Sequence, residues 1–474
     1  MTLQAADPRA WDAPLTLGPS GVLISAARRV DGLTAERVLQ HAAGRERFYL
    51  RTPDGASEGV AALAGFGTAA SLFGYGVSRM QTIEAQARAL FANAQFDPLA
   101  PPTARPRLFG GFAFRDDFVP DEAWSAFHPA HFLLPHVQFA QDAGADSGWL
   151  TIAALTSPGE SVTSVRLALA DALQAYETLL LSAPTPATTP APAETHTRYP
   201  MNATAWDDLV SHALSEIEAG RIVKVVLARA CELRRTSGFN LAGALAQLNA
   251  NYPECYRFLF EPRPGHAFLG ATPELLASVR RHTLHTMALA GSQARGASPA
   301  EDDALAAALL ASDKDRREHR LVLDALVERL RLLSHDLAHD ETQVMKLHNI
   351  QHLHTPVRAE LHADVSMLDA LAALHPTPAL GGSPRITALR FIVDNEPLTR
   401  GWYAAPVGWL DADINGLFCV TIRSAVVQQT RAWLYAGCGI VAGSIPQREW
   451  DETDLKFRPM LRALSNTPPP TGNS

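Results

Sequence analysis

Cysteine is nearly missing from this sequence: Cys231, Cys255, Cys419 and Cys438 are the only four among 474 residues. No two of them form a CxxC pair. That removes support for thiolate zinc sites and thioredoxin-type redox chemistry, and leaves four small buried apolar residues. Long apolar runs are missing too. No uninterrupted stretch is long enough to span a bilayer, and the opening Met1-Thr2-Leu3-Gln4-Ala5-Ala6-Asp7 has no basic segment followed by an apolar one. A reducing cytoplasm is the expected compartment, with no membrane contact. Positive charge is in deficit: 41 Lys and Arg against 49 Asp and Glu give a net charge of −8, without a basic block. Nucleic acid is therefore not an expected partner. The overall field does not attract an anionic small substrate, so such a substrate needs a local positive patch or a metal.

What the sequence does contain is enough apolar residue for a packed core, 47% against 19% charged. The length suits one large α/β unit or two to three ordinary domains. Composition shifts sharply over residues 182–195, SAPTPATTPAPAET, where Pro, Ala and Thr cannot bury a core and favour extended chain. This reads as a linker between an N-terminal region, 1–181, and a longer region, 196–465. The Pro-rich tail 466–474 reads as disordered. Before the linker, strands are expected at Gly21–Ala26 and Leu108–Phe114.

Past the linker, Trp206, Leu209, Val210, Ala213, Leu214 and Ile217 recur at helical spacing, with Thr204 as a cap and Gly220 as a stop. Val223-Lys224-Val225-Val226-Leu227 then reads as a buried strand carrying one lysine. That lysine either points to solvent or sits desolvated, where it can lose its proton and act as a base. A second helix, Lys314–Leu333, has an inward stripe of Val322, Leu326, Leu330 and Leu333. Projected backwards, the stripe places Asp315 and Glu318 on the same side. A third helix begins at Ser444-Ile445-Pro446-Gln447, with Ser444 and Gln447 at capping-box spacing, and puts Glu449 and Glu452 on one face. Acids at these places are either macrodipole partners or solvated, or they converge on one hard cation. No basic residue that would neutralise the two acid-bearing faces stands out in the sequence. Glu274 follows a proline among apolar residues. It is either an exposed loop acid or a carboxyl kept protonated by burial. The glycine-dense stretch Gly437-Cys438-Gly439 lets a backbone approach a ligand closely.

Taken in order, KVVLAR (224–229), LGATPELL (269–276), LAGSQARG (289–296), SDKDRREH (312–319), QHLHT (351–355), HPTPALGG (375–382), CVTIRSA (419–425), AGCGIVAGS (436–444) and EWDET (449–453) resemble the chorismate-utilising enzymes. That family comprises isochorismate, salicylate, anthranilate and aminodeoxychorismate synthases. The resemblance covers about 202 to 464, and FGGFAF near the start looks like the family's first half. It implies an α+β fold of large, mostly antiparallel β-sheets packed together with helices outside, and a Mg²⁺-dependent site for chorismate. It also implies roles. Lys224 matches the base that activates water, and Glu274 the acid that protonates the departing hydroxyl. Glu318 and Glu452 match magnesium ligands, with Glu449 and Asp315 beside them; Asp315 replaces the glutamate common in relatives. Arg423 and Tyr403 match residues that hold the enolpyruvyl carboxylate, helped by the backbone at Gly437 and Gly439. His352 matches a pocket histidine.

Three positions point within the family to isochorismate formation. Ammonia-using relatives carry Gln where Lys224 stands. Aminodeoxychorismate synthases carry a nucleophilic lysine where this chain has Ala290. Relatives that go on to release pyruvate usually carry Thr where this chain has Ala379. No glutamine amidotransferase segment or partner subunit is expected. The resemblance of the chain's end favours the menaquinone branch over siderophore synthesis. A salicylate synthase and a catalytically dead chorismate-binding regulator are the alternatives.

Overall fold

The computed structural model describes residues 21–55, 59–145, 147–157, 159–182 and 194–465. The interior of the expected linker and the expected disordered tail lie outside these residues.

Side chains alternate across a strand, so a strand with apolar residues at successive positions serves two cores at once. The strand β9 (Tyr256–Arg263) is built this way. Phe258 and Phe260 enter one apolar core while Leu259 enters a second. β2 (Arg47–Arg51) does the same with Phe48 and Leu50 against Tyr49. These strands belong to a wall that runs β1 (Leu23–Asp31), β6 (Ser147–Leu155), β5 (Ala130–Asp142), β3 (Val60–Gly74), β2, β9, β10 (His266–Thr272), β19 (Ser424–Gln428), β20 (Arg431–Ile440) and β8 (Lys224–Arg235). The short strands β7 (Thr195–Arg198) and β16 (Gly382–Ser383) finish it on β8. A second wall leaves β5 through β4 (Leu108–Phe112) and continues β17 (Pro406–Leu410), β18 (Gly416–Val420), β11 (Leu275–Arg280), β12 (Thr283–Ala294) and β15 (Ile350–Leu361). β13 (Ser334–His339) and β14 (Gln343–Lys346) pair with β15. Every one of these pairings is antiparallel, as the resemblance implied.

The first core lies where the walls face each other: Phe48 stacks on Phe109 with centroids 4.5 Å apart, and Phe260 on Trp402 at 5.1 Å. It also takes side chains from α2 (Arg79–Phe91), α4 (Ala203–Glu218), α7 (Asp313–Arg331), α8 (Met367–Leu374) and α9 (Arg385–Asn395). The second core lies on the other face of the first wall, under α1 (Ala35–His41), α3 (Val162–Ser182), α5 (Leu241–Asn251) and α10 (Pro446–Ser465). α6 (Pro299–Ala311) packs on β12.

Two local expectations need correcting. Asn202, not Thr204, caps α4, accepting from the Ala205 N–H at 2.9 Å; Gly220, at φ +70°, follows the helix end as expected. At α10 the hydroxyl of Ser444 is not given to a capping box. The tight turn from Val441 to Ser444 folds it back to accept from the Val441 N–H at 3.2 Å, and Gln447 donates to Asp451 instead.

Strands from before and after the linker share both walls, through β2–β9 and β4–β17. At the first of these seams Arg47 lies directly opposite Glu261, and their side chains pair at 2.5 Å, both buried. Removing one partner leaves an uncompensated buried charge, which costs about 3–5 kcal/mol. Glu261→Leu and Arg47→Met are each expected to lower the thermal unfolding midpoint strongly, with the double variant recovering much of the loss. Single variants that unfold at the parent midpoint would show that the seam does not depend on this pair.

Candidate active site

β8 alternates too. Val225 and Leu227 enter the first core, while Lys224 and Val226 face a cavity of about 480 Å³. Lys224 is therefore inward and only 1% exposed, not a solvent-facing strand lysine. Opposite it on β20, Cys438 is buried in the core and Gly437 and Gly439 line the same cavity. A Cβ at Gly439 would stand 2.7 Å from Lys224 Cε and 2.8 Å from Glu318 Oε1. Only glycine leaves room there for the lysine and its partner.

That partner comes from α7, whose stripe of Val322, Leu326 and Leu330 is buried as the spacing predicts and turns Glu318 inward. Lys224 Nζ donates to Glu318 Oε1 at 2.7 Å. One turn earlier Asp315 reaches the cavity too, but the Ser312 hydroxyl that caps α7 donates to its carboxylate. From α10, Glu449 and Glu452 face the cavity, and so does Lys456, which the sequence reading missed. Lys456 Nζ pairs with Glu452 Oε1 at 2.7 Å and donates to the Gly437 carbonyl at 2.9 Å. Lys314 lies 3.7 Å from Glu449. The acid-bearing faces are therefore not left unneutralised. Each of Glu318, Glu449 and Glu452 has a lysine of its own, and the spacing of Glu452 and Lys456, four apart on one helix, was the signal that could have revealed it.

The second wall and the loops supply the rest. Glu274, in the Pro-bearing turn between β10 and β11, is buried and lines the cavity. Arg423, at φ +50°, donates through Nη2 to His352 Nε2 at 2.8 Å, and its Nη1 has no protein partner. Accepting from a guanidinium requires neutral His352. Its Nδ1 lies 3.0 Å from the Ser292 hydroxyl and 3.3 Å from the Gly291 carbonyl. Tyr403 stacks on Tyr435 at 5.3 Å and lines the cavity, as do Ala379 and Ala290. All twelve expected site residues thus line one cavity, together with Lys314, Arg400, Arg448 and Lys456. An acidic chain has thus gathered six basic side chains around one cavity, against five carboxyls.

Electrostatics divides the acids into different kinds. Burial pushes the Glu274 carboxyl up to about 7, although the positive charges of Lys224, Lys456 and Arg423 pull the other way. Burial also opposes ionisation of Glu318, yet Lys224 outweighs it and holds that carboxyl below its usual range. Glu449 is raised, by burial first and then by the charge of Glu452, with Glu318 adding to it against Lys314 and Ser444. Burial and the charge of Arg423 hold His352 well below its usual value. Among the described residues no three metal-ligating side chains are grouped closely enough to enclose an ion. Magnesium, however, needs only one or two carboxylates plus water and substrate oxygens. Glu449 is raised by the charges of Glu452 and Glu318, a repulsion that a bound cation would relieve, so these carboxylates fit such an ion.

A family described as chorismate binding enzyme matches residues 15–465. The salicylate biosynthesis isochorismate synthase of Pseudomonas aeruginosa is 38% identical over 403 residues, 84% of this chain and 82% of that protein. The isochorismate synthase MenF of Bacillus subtilis is 33% identical over 76% of this chain and 74% of its own. Among solved structures, MenF, the menaquinone-specific isochorismate synthase from Escherichia coli, superposes with a TM-score of 0.75 at 28% identity, covering 94% of this chain and 95% of that one.

A carboxyl whose value is raised in the folded protein favours folding fully below its unfolded value, 4.5, and that contribution fades as pH rises through about 7. For Glu274 the loss is on the order of 3 kcal/mol. Glu274→Gln removes this titration. The variant's thermal midpoint is expected to gain on the parent's as pH goes from 4.5 to 8, in buffer free of divalent ions. A difference that does not change over that range would mean Glu274 ionises normally.

Proposed function

This chain belongs to the family of chorismate-binding enzymes, and we propose that it is an isochorismate synthase, adding water at C2 of chorismate and expelling the hydroxyl from C4. The observation that carries this reading is the presence in one cavity of Lys224 and of Glu274, a carboxyl that still holds its proton near neutrality. Attacking water must lose a proton and a departing hydroxide must gain one, and each transfer is worth roughly 10²–10⁴-fold. Glu274 gives the proton to the C4 oxygen. Lys224 takes one from water, and to do so its amine has to be free of Glu318.

Arg423 offers Nη1, which no protein group uses, to a carboxylate of the substrate, beside Tyr403. Glu318 and Glu452, with Glu449 adjoining, are the residues that would hold magnesium, which supplies positive charge for the other carboxylate. Engagement of Glu318 by a cation would also release Lys224. Asp315 already accepts from Ser312, so its part is that of a neighbour. His352, neutral, orients Arg423.

The lining also limits the chemistry. Ala290 carries no amine for covalent attachment, and Ala379 brings no hydroxyl. The reaction is read as stopping at isochorismate, in the cytoplasm, without a glutamine amidotransferase subunit. Relatives are named for menaquinone and for salicylate biosynthesis. The chain's ending favours the menaquinone branch; the 38% relative favours passing isochorismate to a separate salicylate-forming step.

Purified protein with chorismate and Mg²⁺ is expected to give isochorismate, resolved from chorismate by chromatography, without glutamine or ammonium. Lys224→Ala and Glu274→Gln should each lower kcat by about 10²-fold or more with KM little changed, and kcat/KM should fall as pH rises above about 7 because Glu274 loses its proton. Exhaustive chelation should stop turnover. Anthranilate from added ammonium, salicylate and pyruvate as the earliest products, or chorismate binding with no product would each replace this reading.

A further inference from the structure

On the other side of the His375–Gly382 loop from the catalytic cavity lies a separate pocket of about 310 Å³. It is formed by the first turn of α2, the loop after β4, the end of α8 and the exposed side of α9. Its wall is apolar over Val77, Met80, Phe114, Ala372, Leu389 and Val393, and its polar lining is cationic: Arg79, Arg115, Arg385 and Arg390 against Asp116 and Asp117.

Four arginines against two aspartates leave an excess of positive charge. Arg115 and Asp117 satisfy each other, with Nε to Oδ1 at 2.7 Å. No carboxylate lies within 4 Å of Arg79, Arg385 or Arg390 among the described residues. Arg79 is only 7% exposed, yet its Nε has no partner and its terminal nitrogens make just long contacts, 3.4 Å each, to the Gly76 and Ala113 carbonyls. His375, 2% exposed, also has an unpartnered ring nitrogen, Nδ1. Buried guanidinium groups are normally paired, because an unpaired charge in a poorly solvated place is costly. Asp116 is the first charge acting on Arg79, with Arg385 opposing it, and Asp116 also faces Arg385; burial first, then the charges of Arg79 and Arg385, hold His375 in its neutral form.

We propose that this pocket is a second ligand site, for a small organic carboxylate with a flat apolar body. The carboxylate lies between Arg79, Arg385 and Arg390, and its body rests on Phe114, Met80 and Leu389. The apolar wall selects such a molecule over inorganic phosphate, which would satisfy the arginines alone, and the volume suits a single small ring. Arg385 also donates to the His375 carbonyl, and the loop that begins there ends with Ala379 and Leu380 in the catalytic cavity. The site does not depend on the reaction proposed above.

Calorimetric titration of the full chain with benzoate and with inorganic phosphate tests it. Benzoate should bind, phosphate more weakly, and Arg385→Met and the exposed Arg390→Ala should each weaken benzoate by about tenfold or more. The Arg390 variant keeps the test valid if the Arg385 variant folds poorly. Crystals soaked in para-bromobenzoate should show the bromine beside Phe114 and Leu389. Bromine found in the catalytic cavity alone, affinity unchanged in both variants, or phosphate binding more tightly than benzoate would overturn the proposal.

Discussion

The pairing of Lys224 with Glu318 beneath Gly439 sets the terms for the whole catalytic cavity. A buried ammonium must have a counterion, and the counterion here comes from a helix outside the strand that carries the lysine. The contact is possible only because β20 presents a glycine at that point. The same solution recurs with Lys456 on Glu452 and Lys314 on Glu449. Three carboxylates thereby line one cavity, each with a lysine beside it. A cation entering among them would exchange lysine charge for metal charge instead of meeting bare acids. Glu274 belongs to none of these pairs, and burial raises its carboxyl against the pull of Lys224, Lys456 and Arg423.

The two walls make this possible by bringing distant segments into fixed register. β8 and β20 supply Lys224 and the glycines on one face and core residues on the other. The second wall brings Glu274, His352 and Arg423 to the cavity from the ends of strands and the turns between them. Among the described residues, the region before the linker contributes no side chain to the catalytic lining. Its part is to complete both walls, through the β2–β9 and β4–β17 seams, and to supply Phe48 and Phe109 to the core between them.

Much of this was legible in the sequence for a physical reason: periodicity fixes which side of an element a residue occupies. The stripe Val322, Leu326, Leu330 determined where Glu318 points, and Val225, Val226 and Leu227 marked a buried strand, although Val223, expected to open it, precedes β8 and is exposed. The resemblance to chorismate-utilising enzymes placed the twelve site residues together, and they do share one cavity. What periodicity cannot give is the partner across space. Lys314 looks like an ordinary helix-surface lysine until α7 and α10 are packed and bring it to Glu449. Arg79 and Arg385 stand far apart in the chain, and nothing local shows that they meet in one pocket. Caps were misread where two candidates adjoin, as with Asn202 and Thr204, because the choice depends on one backbone angle.

The central claim is that water enters at one carbon while hydroxide leaves from another, served by a base and an acid on different elements of one cavity. Turnover of chorismate in heavy-oxygen water tests it most directly, with mass spectrometry of the isochorismate formed at early times. The account predicts one heavy oxygen in each molecule of isochorismate, located in its ring hydroxyl. Isochorismate that carries only the original hydroxyl oxygen would show that the group migrates within the substrate, and would contradict the assignment of Lys224 as the base that activates water.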